Sequence, residues 1–173
     1  MARIYISIGS NIERDYYVRA GVQALQQHFA AVQLSSVYES EAVGFSGDAF
    51  YNMVAGADTD LTIAQCVALL KQIEDQYGRV RGGEKFCGRT LDLDLLTYDD
   101  VVCNTPVILP RQEITENAFV LWPLSLIAPD RVHPGVGKSF AQLWDEAQID
   151  QLLAPVAFEW RGVQLTPSSL LGG

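Results

Sequence analysis

Positive charge is scarce in this chain. Its 12 Lys and Arg stand against 21 Asp and Glu, leaving a net charge of −9. A nucleic-acid binder needs a basic stripe that releases phosphate counterions, and the sequence offers none. Long apolar runs are also missing, and no stretch approaches the roughly 20 residues a bilayer-spanning helix requires. The opening Met-Ala-Arg-Ile-Tyr enters an alternating strand at once, leaving no room for a signal peptide. The 3 cysteines, Cys66, Cys87 and Cys103, form neither a CxxC pair nor a zinc spacing, and such a scattered set fits a reducing cytoplasm. The 2 histidines, His28 and His133, read as surface or packing residues. The expectation is a cytoplasmic protein without membrane or nucleic-acid partners.

What is present describes a globular chain: 173 residues, 49% hydrophobic and 19% charged. Residues 1–173 read as a single domain, with 150–173 as a less defined C-terminal extension. Ile4, Ile6 and Ile8 alternate on a strand that stops at Gly9-Ser10-Asn11. Val18, Val22, Leu25 and Phe29 recur at helical spacing over residues 16–29, residues 31–38 are β-rich, and a strand runs from Phe50 to about Thr59. Thr62 with Gln65 forms a capping-box pattern opening a helix to Tyr77, and Gly78 stops it. Val101-Val102 reads as a short returning strand and 139–147 as a helix. Residues 156–165 read as a hairpin, and 166–173 as a fraying end. The order β-α-β-β-α-β predicts an α+β fold with a ferredoxin-like split β-α-β core, mainly antiparallel, flanked by helices.

The most informative segment is Arg89-Thr90-Leu91-Asp92-Leu93-Asp94-Leu95. On a strand, Asp92 and Asp94 share one face while the leucines take the other. Two carboxylates held that close repel unless a cation lies between them, and a few hard oxygens suit Mg²⁺ with phosphate. The competing reading is an edge strand whose solvated acidic face discourages sheet-to-sheet pairing. Arg79, Arg81, Lys85 and Arg89 crowd into residues 79–89 just before it, a cationic cluster suited to a small anion. A solvated basic loop is the alternative there.

In order along the chain stand Y-I-S-I-G-S-N (Tyr5–Asn11), Val43-Gly44, Asn52, G-R-V-R (Gly78–Arg81), R-T-L-D-L-D-L-L (Arg89–Leu96) and F-V-L-W-P-L (Phe119–Leu124). Together they resemble the 6-hydroxymethyl-7,8-dihydropterin pyrophosphokinases of folate biosynthesis. The resemblance implies transfer of diphosphate from ATP to the pterin hydroxymethyl group, releasing AMP, by a cytoplasmic monomer. It implies two Mg²⁺ ions on Asp92 and Asp94, with Arg81 and Arg89 neutralising phosphate and Asp94 the candidate base. The pterin would stack between Phe50 and Phe119, with Asn52 at its edge and groups near Ser40, Ala42 and Val43 completing the contacts. ATP would meet Lys71, Glu74, Arg79, Arg81, Phe86, Arg89, Leu95 and Arg111. Without the resemblance, Phe50 and Phe119 read as core aromatics, and Lys71 with Glu74 as a solvated ion pair.

The chain departs from the family pattern chiefly on the nucleotide side. Phe86-Cys87-Gly88 replaces an aromatic-Gly-Pro run, and Gly82 replaces a basic residue. Arg111 stands for a histidine and Asn117 for an arginine, an arginine is missing near Val107, and Glu41 sits in a normally neutral loop. A pterin- or nucleotide-binding paralogue with weak or no kinase activity is the alternative these changes leave open.

Overall fold

The computed structural model describes residues 1–41, 49–78, 90–151 and 153–171. The main elements in chain order are β1 (Ala2–Ser10), α1 (Arg14–His28), β2 (Ala30–Leu34), β3 (Val37–Ser40), β4 (Phe50–Thr59), α2 (Ile63–Gln76) and β5 (Asp92–Tyr98). There follow α3 (Glu113–Glu116), α4 (Ala118–Ile127), α5 (Phe140–Glu146), β6 (Leu153–Val156), and the hairpin of β7 (Glu159–Trp160) and β8 (Val163–Gln164). The main sheet has the order β5-β1-β4-β3-β6, with β2 also on β4. All of its pairings are antiparallel. This is the α+β, ferredoxin-like arrangement the element order predicts.

Alternation on β1 divides the core. Ile4, Ile6 and Ile8 pack with Val18, Val22 and Leu25 of α1 and Cys66, Leu70 and Ile73 of α2. Tyr5 faces the other way, joining Val54, Leu96, Ile114 of α3, Leu121 and Leu124 of α4, and Phe140 of α5. The sheet is thus covered on both faces, and burial of these apolar side chains is the main force holding the layers together. The helix α2 begins where expected: Thr62 accepts from the Gln65 amide and Gln65 returns the bond to the Thr62 amide. The Asp99-Asp100 turn closes on the Arg3 amide, which donates to Asp99 Oδ1 at 2.7 Å.

Two expectations are corrected. Val101-Val102 forms no strand; Val102 is exposed, and only an isolated bridge from Cys103 to Leu109 follows. The tail beyond residue 165 does not simply fray: Thr166 is 0% exposed and its Oγ1 accepts from the Val37 amide at 3.1 Å. The hairpin near the C-terminus is present, but β6 was not foreseen. It adds to the sheet edge at β3, pairing Leu153 with Ser40 and Pro155 with Tyr38. Of the histidines, His28 is exposed, whereas His133 is buried and its Nδ1 accepts from the Gly135 and Val136 amides at 3.0 Å each.

Candidate active site

The acidic strand behaves as its alternation predicts. Leu91, Leu93 and Leu95 are buried in the core under α1 and α2, while Asp92 and Asp94 stay partly exposed on the α4 side. Asp92 lies opposite Gly9 of β1, and Gly9 lies opposite Asn52 of β4. Adjacent strands are roughly 5 Å apart, so Asp92 and Asn52 flank a gap of about 10 Å floored by a residue without a side chain. A Cβ on Gly9 would sit 3.4 Å from Asn52 Oδ1 and 3.7 Å from the Phe50 ring, inside the cleft.

That gap is the centre of a first cleft of about 520 Å³, lined by Ser7, Gly9, Ser40, Glu41, Phe50, Asn52, Asp92, Asp94 and Phe119 among others. Its walls come from β3, β4, β5 and α4. Asn52 is 7% exposed, and its Nδ2 donates to Ser40 Oγ at 2.6 Å. This bond fixes the amide so that Oδ1 points toward Gly9. The cleft therefore pairs two half-buried aromatic rings with a fixed amide edge, a combination suited to a flat heterocycle. Phe119 stands in the first turn of α4, whose start is tied down by a distant residue. Gln151 Oε1 accepts from the Ala118 amide at 2.7 Å, and its Nε2 donates to Asn117 Oδ1 at 3.0 Å.

A second cleft, also about 520 Å³, lies on the other side of the same two aspartates. Val67, Leu70, Leu93, Leu95 and Val107 give it apolar walls, and Lys71, Glu74 and Arg111 give it charge. Lys71 is exposed, but Glu74 is 4% exposed and points inward. Its Oε2 accepts from the Leu93 amide at 2.7 Å. The strand β5 is a sheet edge, so this outward N–H has no strand partner, and Glu74 supplies the acceptor between the two aspartates. Spacing along α2 placed Glu74 with Lys71 but could not reveal this strand contact. Glu74→Ala leaves a buried amide unsatisfied, and it is expected to lower the unfolding free energy by about 1–3 kcal/mol in urea titration.

Arg111 bridges the acids. Its amide donates to the Leu96 carbonyl at 2.9 Å, its guanidinium lies 3.6 Å from Asp94, and its Nε is 3.1 Å from Glu113. Asp94 is nonetheless pushed up to about 6, first by burial and then by the charge of Asp92; Arg111 pulls it down, and Glu74 and Glu113 raise it further. A buried carboxylate whose proton affinity is raised by a neighbouring acid marks a place where a cation is wanted. Among the described residues, no group of three or more His, Cys, Asp or Glu is placed to hold a metal. An ion at Asp92 and Asp94 would therefore complete its shell with water or phosphate oxygens, the habit of Mg²⁺.

Of the residues expected from sequence, Ser40, Phe50, Asn52 and Phe119 converge on the first cleft, Lys71, Glu74, Leu95 and Arg111 on the second, and Asp92 and Asp94 on both. Ala42, Val43, Arg79, Arg81, Phe86 and Arg89 lie outside the described residues. Sequence reasoning missed Gly9 as cleft floor and Gln151 as the anchor of the Phe119 helix. A glycine ending an alternating strand was the only available signal for the first, and nothing signalled the second.

Comparison with known proteins gives a consistent result. The family model for 7,8-dihydro-6-hydroxymethylpterin-pyrophosphokinase matches residues 5–129. The 2-amino-4-hydroxy-6-hydroxymethyldihydropteridine pyrophosphokinase of Aquifex aeolicus is 32% identical over 137 residues, covering 78% of this chain and 85% of that protein. The Bacillus subtilis protein of the same name is 38% identical over 128 residues, covering 71% of this chain and 76% of that protein. The Pseudomonas aeruginosa protein is 31% identical over 172 residues, with coverage of 96% and 98%. Among solved structures, wild-type Plasmodium falciparum HPPK-DHPS with SDX-DHP superposes with a TM-score of 0.66 at 10% identity, which supports the fold alone. The match covers 84% of this chain and 43% of that longer one. With two clefts meeting at paired aspartates and this set of relatives, the chain belongs to the 7,8-dihydro-6-hydroxymethylpterin-pyrophosphokinase family.

Proposed function

We propose that this chain transfers the β,γ-diphosphate of ATP to the hydroxymethyl group of 6-hydroxymethyl-7,8-dihydropterin, yielding AMP and the pterin diphosphate, as a cytoplasmic monomer in folate synthesis. One observation carries the reading: an aromatic, amide-edged cleft and an apolar, charge-rimmed cleft share Asp92 and Asp94 as their common wall. In the first, the pterin ring stacks between Phe50 and Phe119, with Asn52 and Ser40 at its polar edge and the backbone of Ala42 and Val43 alongside. In the second, the adenine lies against Leu95 and its apolar neighbours, and Lys71 and Arg111 face the phosphates. Arg79, Arg81 and Arg89 of the basic run add positive charge to the proposed nucleotide set, which also includes Phe86.

The pair Asp92 and Asp94 fits Mg²⁺, two ions with a triphosphate, because both carboxylates line the same two clefts and the charge of Asp92 adds to the demand for a counter-charge at Asp94. Bound there, Mg²⁺ would neutralise and orient the triphosphate oxygens. The chain's own contribution is positioning and charge, as phosphoryl transfer requires. The pterin hydroxyl oxygen attacks the β-phosphorus, the bond from that phosphorus to the α,β-bridging oxygen breaks, and AMP departs with the electron pair. Asp94, at the junction of the two clefts, takes the hydroxyl proton.

The test is AMP formation from ATP, pterin and MgCl₂, expected to depend on both substrates and to stop with EDTA. Pterin binding without AMP above background would instead identify a binding paralogue, the outcome that the Arg111 and Asn117 replacements leave open.

A further inference from the structure

We infer that Arg14 is a positioning residue for the first cleft, bracing the strand ends that carry Ser40 and Phe50. The inference rests on the reading of that cleft as the pterin site. Arg14 opens α1 and is not among the described residues lining the first cleft. Its Nη2 lies 2.7 Å from Glu39 Oε2, and its Nη1 donates to the Ala49 carbonyl at 3.0 Å. The guanidinium carbon is 3.9 Å from the centre of the Tyr51 ring. Glu39 is the neighbour of Ser40 on β3; Ala49, just before β4, and Tyr51 on it bracket Phe50. Ser40 and Phe50 are themselves register partners.

A lone surface ion pair contributes little, and the Arg14 and Glu39 side chains are 30% and 40% exposed. Here one planar fork satisfies a carboxylate on one strand and the carbonyl leading into the next while stacking on the second strand's ring. That geometry is specific to guanidinium, since an ammonium has neither the fork nor the flat face. What it fixes is the separation of the two strand ends just where the paired amide and hydroxyl of Asn52 and Ser40 meet the Phe50 ring. Nothing in the contact set reaches the second cleft, so loosening the brace should be felt by one substrate only.

The experiment compares wild type with R14Q, R14K, E39Q and R14Q/E39Q. Titration calorimetry measures pterin binding in the presence of a non-hydrolysable ATP analogue, and analogue binding separately. R14Q is expected to weaken pterin about tenfold, the scale of a sub-ångström misplacement, with the analogue Kd unchanged within about twofold. R14K should recover less than half of the loss on a logarithmic scale. E39Q should reproduce part of it, and the double variant should bind no worse than R14Q, as for two members of one contact set. An unchanged pterin Kd in R14Q overturns the inference, as does parallel weakening of both ligands. Should R14Q fail to fold, E39Q decides alone, because the bond to Ala49 remains in it. Wild type that binds no pterin sinks the reading of the cleft itself, a separate outcome.

Discussion

Asp94→Asn is expected to cut AMP formation about a thousandfold or more while making the metal-free protein more stable at pH 7. The two effects have one cause. The substitution removes a proposed anionic ligand from the carboxylate pair that both clefts share among the described residues, and transition-state charge stabilisation by a bound divalent ion is worth several kcal/mol, each 1.36 kcal/mol being about a factor of ten. In the unliganded fold, that same carboxylate is a burden. Its folded-state pKa of about 6 lies above the usual 3.8, so the folded protein holds the proton more tightly than the unfolded chain. Stability from this group is then present below about pH 4, is lost as pH rises toward 6, and stays lost above it. Because the side chain is 40% exposed, solvent screening reduces the cost at neutral pH to roughly 1 kcal/mol. Thermal melts at pH 5 and pH 7.5, with and without MgCl₂, check this. Wild type should gain more from Mg²⁺ at the higher pH, and the variant should lose that gain. Turnover near the wild-type rate, or a metal-free variant less stable than wild type at pH 7.5, would reject the role given to Asp94.

Asn52→Ala is expected to weaken pterin binding by about 30–100-fold with nucleotide affinity unchanged within about twofold. The amide is buried, and one of its two N–H donors is spent on Ser40 at 2.6 Å, so the oxygen directed toward Gly9 is the acceptor offered to a ring edge, beside the remaining N–H. Truncation removes that acceptor, releases the Ser40 hydroxyl, and leaves the polar edge of the ring facing an apolar methyl. A site that hydrogen-bonds its ligand pays more for such a loss than an apolar pocket pays for a missing methylene. Calorimetric titration with each substrate separately reads the split. Equal loss of both affinities would mean that Asn52 supports the sheet rather than the ligand.

Much of this architecture can be read from alternation and capping alone. Ile4, Ile6 and Ile8 give the sheet face, Thr62 with Gln65 gives the start of α2, and the L-D-L-D-L pattern places two acids opposite three core leucines. The features that escape are those whose cause is tertiary. Leu153-Ala-Pro-Val carries a proline that argues against a strand, yet Pro155 is tolerated because β6 lies at the sheet edge. Thr166 looks like a solvated residue and is buried because the Val37 amide needs an acceptor. Glu74 falls on the same helical face as Lys71 by spacing, but the unpaired amide of Leu93 decides where its carboxylate goes. In the site, residue types were legible wherever chemistry demanded a particular side chain. The supports behind them, Gly9, Arg14 and Gln151, were not, because each acts through geometry that no local pattern encodes.

Residues beyond 150 reach the first cleft from two directions. Through β6 it lies alongside Ser40, and through Gln151 it grips the start of the helix bearing Phe119. Opposite walls of the first cleft thus share a single tether, so a protease nick near residue 150 would slacken both at once. Such damage would surface as poorer substrate capture, with every reacting group still intact.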